Sequence, residues 1–212
     1  MKISSIILAT VLATASVSQA AVTLGATSFQ NGLSDSTGAA LAANAIIRYG
    51  YFGSGFDFGA NANDIAALET AFTQVTSQTG VQASGIDGFF QYTLNIDDTA
   101  SFEGQNYNSQ IVGKNIYAWV MNNTNPASAT QHGIFSTSET WNDSSNPNMT
   151  FTLQSNVPGG VNTHIGSALT GPVLFTGLGN SYQLADIGVV PEPSRAMLGL
   201  LGLGALVFRR RR

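Results

Sequence analysis

Ile116-Tyr117-Ala118-Trp119-Val120-Met121 carries an apolar or aromatic side chain at every position. Successive side chains of a strand point to opposite faces of a sheet, so such a run is stable only where both faces are covered. The segment therefore reads as a central strand. It runs into Asn122-Asn123-Thr124-Asn125-Pro126, a turn-rich stretch that should reverse the chain into Gly133-Ile134-Phe135.

Two flanking segments have a different pattern. Phe90, Tyr92, Leu94 and Ile96 alternate with Gln91, Thr93 and Asn95, and Met149, Phe151 and Leu153 alternate with Thr150, Thr152 and Gln154. This period of two marks strands with one wet face. Further strands are expected at 22–24, 45–52, 173–176 and 182–187. Ile65, Leu68, Phe72 and Val75 recur at helical spacing, with Asn63 or Asp64 placed to cap the first turn, so residues 64–75 read as one short amphipathic helix. Residues 37–44 fit helix or strand equally. The expected fold is mainly β, an antiparallel sandwich or barrel-like body with that helix packed on it.

The body, residues 21–190, is long enough for a single domain that buries roughly 70% of its extended-chain surface. Arg48 and Lys114 are its only basic residues against eleven acids, a formal charge of −9. That balance disfavours nucleic acid and anionic lipid as partners. The chain has no cysteine, which removes thiol nucleophiles, thiolate metal sites and disulfides, so stability rests on packing.

Both ends of the sequence read as addresses. Met1-Lys2, the apolar stretch 3–17 and Ser18-Gln19-Ala20 form a secretory signal peptide, residues 1–20, with cleavage expected between Ala20 and Ala21. Residues 191–212 hold Pro191-Glu192-Pro193-Ser194, an uncharged apolar run over 196–208, and Arg209, Arg210, Arg211 and Arg212. The prolines hold the motif extended. As a helix the run covers about 20 Å against a hydrocarbon core of about 30 Å, short for a permanent span, and the arginines favour the cytoplasmic side.

These three ordered parts resemble the PEP-CTERM sorting signal. The resemblance implies recognition by an exosortase, a membrane-embedded Cys-dependent enzyme that cuts near the motif. It also implies a transient membrane stage through the C-terminal hydrophobic helix, and delivery to the cell envelope, outer surface or exterior, often among exopolysaccharide. Arg195 departs from the commoner form, in which the apolar run follows the motif directly, and leaves the cut position open. More loosely, Gly50-Tyr51-Phe52, the 64–75 segment, Tyr117-Ala118-Trp119, Gly133-Ile134-Phe135 and Trp141 resemble domains that carry such tails, which have no established activity.

Catalytic groups are scarce. His132 and His164 match no nucleophile-elbow or His-Glu-x-x-His spacing and read as exposed loop histidines. Asp97, Asp98 and Glu103 read as a solvated turn, and Asp57, Asn61, Asn63 and Asp64 as helix caps; calcium at either cluster is the alternative. Tyr49, Tyr51, Phe52, Phe56 and Phe58 crowd one glycine-rich stretch and read as core rings, with stacking on sugars as the alternative. The Asn-x-Ser/Thr triplets at Asn122, Asn142 and Asn148 mark polar loops. The expectation is a non-enzymatic, sorted export protein without metal or cofactor; the alternative is a secreted carbohydrate-binding or carbohydrate-hydrolysing domain.

Overall fold

The computed structural model describes residues 22–28, 31–76, 79–83, 85–96, 110–143, 145–153, 160–169 and 181–188. Ala20, Ala21, Pro191, Glu192, Pro193, Ser194, Arg209 to Arg212, the acids Asp97, Asp98 and Glu103, and the strand expected at 173–176 lie outside them. The described chain is mainly β, with antiparallel sheets and two short α-helices.

The largest sheet is built around β9 (Asn115–Met121), paired antiparallel with β3 (Ile46–Phe52) on one side and β10 (Gln131–Thr140) on the other. Beyond β3 lie β4 (Phe72–Gln74) and β5 (Thr79–Gly80); beyond β10 lie β12 (Asn162–Ile165) and β15 (Ala185–Asp186). A second sheet joins β11 (Asn148–Thr152), β1 (Val22–Thr27) and β8 (Gln91–Ile96). A third joins β13 (Ser167–Leu169), β14 (Ser181–Gln183) and β2 (Gly32–Ser34), and a small hairpin pairs β6 (Gln82–Ala83) with β7 (Ile86–Asp87).

The two parities of β9 enter two different cores. Ile116, Ala118 and Val120 pack with Ile47 and Tyr49 of β3, Val22, Leu24 and Ala26 of β1, and Met149 and Phe151 of β11. Trp119 and Met121 pack instead with Ile46, Phe52, Leu68, Phe72, Ile134 and Ile165, and Tyr117 lies at that cluster's margin. Trp119, Val120 and Met121 are each fully buried. Burial of an aliphatic side chain stabilises by about 1.5–3 kcal/mol, so a strand that contributes to both cores anchors both.

The half-buried strands have the expected character. In β8, Gln91, Thr93 and Asn95 are exposed while Ile96 is buried; in β11, Asn148 and Thr150 are exposed while Met149 and Phe151 are buried.

Several expectations change. In place of one helix over 64–75 there are α1 (Phe58–Asn61), capped by Asp57, and α2 (Ile65–Ala71), capped by Asp64, whose side chain accepts from Ala67 N–H. At Phe72 the backbone turns extended (φ −84°, ψ 121°), and β4 begins. Pairing of Phe72 with Phe52, and of Gln74 with Gly50, outcompetes another helical turn that would contain β-branched Thr73 and Val75. The sheets are not wholly antiparallel either: β1 pairs parallel with β11, and β14 pairs parallel with β2. Residues 37–44 form neither helix nor strand, but a turn closed by Asp35 Oδ1, which accepts from Thr37 and Ala39 N–H, and by a bridge from Ser34 to Ala40.

Candidate functional site

The chain leaving β3 passes through Gly53-Ser54-Gly55-Phe56-Asp57-Phe58 before α1 starts. Gly55 adopts φ +78°, a left-handed turn that side-chain-bearing residues avoid, and Phe56 N–H returns to Gly53 carbonyl at 3.3 Å. This loop forms one wall of a cleft of about 380 Å³. Gly113, Lys114, Asn115 and Tyr117, at the start of β9, form the other.

Aromatic rings line much of it. Phe52 stacks on Phe56 with centroids 5.0 Å apart, Phe58 meets Phe56 edge-on at 5.1 Å, and Tyr117 lies 5.7 Å from Phe58. Phe52 is buried, whereas Phe56, Phe58 and Tyr117 keep part of their surface in solvent. Of the five rings read as core, Tyr49 and Phe52 are buried, Tyr51 packs against the same core as Tyr49, and Phe56 and Phe58 pack half-buried against the core of Phe52 while, like Phe52, also lining the cleft.

Lys114 is held by its backbone. Its N–H donates to Ile111 carbonyl at 3.0 Å and its carbonyl accepts from Trp141 N–H at 2.9 Å, while Gly113 N–H donates to Trp141 carbonyl at 2.8 Å. Trp141 is itself fully buried and its indole N–H donates to Gly50 carbonyl at 3.3 Å. The body's other cation, Arg48, is spent internally. It pairs with Glu69 and Gln74 and lies 5.3 Å and 5.2 Å from the ring centroids of Phe72 and Trp119. Lys114 is exposed and makes no ion pair among the described residues. No carboxylate lines the cleft among the described residues; Asp57, between Phe56 and Phe58, turns Oδ1 onto Ala60 N–H at 3.0 Å.

Neither histidine is an exposed loop residue. His132 lies in β10 and is 0% exposed. Trp119 indole N–H donates to its Nδ1 at 3.2 Å, and its Nε2–H donates to Ala62 carbonyl at 2.8 Å. Burial lowers its pKa, an effect partly opposed by the Ala62 carbonyl. His164 lies in β12, where Ile165 and Thr163 face consecutive residues Ile134 and Phe135, so His164 is the extra residue of a bulge. Its Nε2 shares a 2.8 Å hydrogen bond with Ser136 Oγ, its ring lies 4.5 Å from Phe58 and 5.2 Å from Tyr117, and burial lowers its pKa.

The Ser136 and His164 pair has two elements of a nucleophilic site, but Ser136 is only 2% exposed and no carboxylate orients the imidazole among the described residues. It ties β10 to β12. The acids Asp57 and Asp64 cap the two helices, Asn61 donates to Asp57 carbonyl, and Asn63 Oδ1 accepts from Gly188 N–H. Each is occupied by backbone, and no group of three metal-ligating side chains occurs among the described residues. Asn122 is bound on both amide atoms, donating to Thr130 Oγ1 and accepting from Thr130 and Gln131 N–H. No helix among the described residues is long and apolar enough to cross a membrane.

Sequence reasoning missed Lys114, Asn115 and Tyr117 as cleft residues. The signal within reach was the isolation of Lys114 in a body almost without cations. Compared with models of known protein families, with curated proteins and with solved structures, the chain matches none.

Proposed function

We propose that this is an exported cell-envelope or extracellular-matrix protein, with a signal peptide at 1–20 and a PEP-CTERM-type sorting segment at 191–212, whose body is a non-enzymatic interaction module. Its sorting partner is an exosortase-type membrane enzyme that recognises Pro191-Glu192-Pro193-Ser194 while the apolar run and Arg209 to Arg212 hold the precursor in the membrane. The protein then reaches the outer surface or exterior. The order of motif, apolar run and cationic cluster supports this part. Replacing Pro191, Glu192 and Pro193 with alanine should leave an uncut precursor in the inner membrane, read by intact mass of the membrane and medium fractions. Normal processing of that variant rejects the mechanism.

For the body, the observation that carries the reading is a cleft lined by rings, with no carboxylate among its described lining residues. A binding role suits that chemistry better than hydrolysis, which needs a pair of facing acids. The body is best described as a sandwich-like arrangement, supported by a shared core between the β9 sheet and the β1 sheet. The second reading, a carbohydrate-binding domain, is favoured by the partly open Phe56, Phe58 and Tyr117 rings, and exopolysaccharide is then the natural partner.

A further inference from the structure

We infer that the cleft between the Gly53–Phe58 loop and the start of β9 takes an acidic saccharide, a pyranose ring bearing a carboxylate. This rests on the reading of the cleft as a saccharide site. Its volume of about 380 Å³ lies at the small end of ligand pockets, which span about 300–1,000 Å³, and suits one or two sugar rings. Phe56, Phe58 and Tyr117 offer apolar ring surface to the C–H face of a sugar. Ser54 and Asn115 add a hydroxyl and an amide for its hydroxyl groups.

Charge selects among saccharides. With Arg48 committed to Glu69, exposed Lys114 is the basic residue without an ion pair among the described residues, and it lines the cleft with no acid among the described lining residues. In a body of formal charge −9, most of the surface repels a polyanion and this spot attracts one carboxylate. The backbone of Lys114 is pinned on both sides, to Ile111 and Trp141, which fixes the point at the cleft from which its flexible side chain reaches. The lattice of rings supplies affinity and the ammonium supplies discrimination.

The test is calorimetric titration of the full chain with trigalacturonate and with its neutral counterpart, a galactose trisaccharide, at low and high salt. The acidic trimer should bind more tightly, more weakly as salt rises, and about five- to tenfold more weakly in Lys114→Gln, with the neutral trimer unaffected by that change. Lys114 is exposed, so this variant retains its fold. Phe56→Ala should weaken both trimers. If both trimers bind equally and Lys114→Gln changes neither, the acidic class is overturned while the cleft remains a saccharide site. If neither binds, both this inference and the carbohydrate reading of the body are overturned. Binding of both trimers untouched by Phe56→Ala places the site elsewhere and overturns the inference.

Discussion

His132 and His164 show how far a single residue's surroundings decide its chemistry. Both lie among turn-forming residues in the sequence, yet one is sealed between Trp119 and Ala62 and the other fills a bulge against Ser136. In both, burial disfavours the charged ring, and the folded pKa lies below the ordinary 6.5. Below pH 6.5 the unfolded chain then binds more protons than the folded one. The stability these rings contribute is therefore complete above 6.5 and is lost as pH falls through the folded values. The urea midpoint should drop between pH 7.5 and 5.5, with a slope for His132 that approaches but does not exceed about 1.4 kcal/mol per pH unit. His164, partly exposed, contributes less. His132→Gln should flatten the fall; an unchanged wild-type midpoint across that interval rejects the account.

At the scale of elements, Gly50 decides where a helix gives way to a strand. A Cβ there would lie 2.2 Å from Thr73 carbonyl oxygen and 2.7 Å from the Phe72 ring. Only glycine lets β4 approach β3, and that approach draws Phe72 out of the helical pattern. The periodicity of Ile65, Leu68 and Phe72 was real, since Phe72 packs into the same cluster as Leu68, but it is met with Phe72 in an extended strand, which carries Val75 into the other core. Gly50→Ala should cost about 1–3 kcal/mol, since the obstructing atom is backbone and cannot swing aside. The same change disturbs the carbonyl that accepts from Trp141, so near-ultraviolet circular dichroism should change with it. Wild-type stability in this variant would mean that β4 is only loosely paired.

At the scale of the molecule, two cores share one sheet, and each holds one tryptophan: Trp141 in the core facing β1, and Trp119 in the core under α2. Because β9 belongs to both, neither core should survive loss of the other. In Trp141→Phe, the fluorescence of Trp119 should follow urea unfolding with the same midpoint as far-ultraviolet circular dichroism, and likewise for Trp141 in Trp119→Phe. Separate midpoints would show two independent units. By itself the sequence determined the strands β1, β3, β8, β9, β10 and β11, the central place of β9, the wet faces of β8 and β11 and helix caps among Asp57, Asn63 and Asp64, because these follow from period, turn chemistry and local hydrogen bonding. Short strands such as β2, β4 and β12, and the division of 182–187 between β14 and β15, carried no such period. The parallel pairings, the burial of His132, the early end of α2 and the cleft were decided only in tertiary structure. Each depends on segments far apart in the chain, such as Lys114 beside Phe56 or Thr23 beside Asn148, and no local pattern encodes which distant segment supplies the partner.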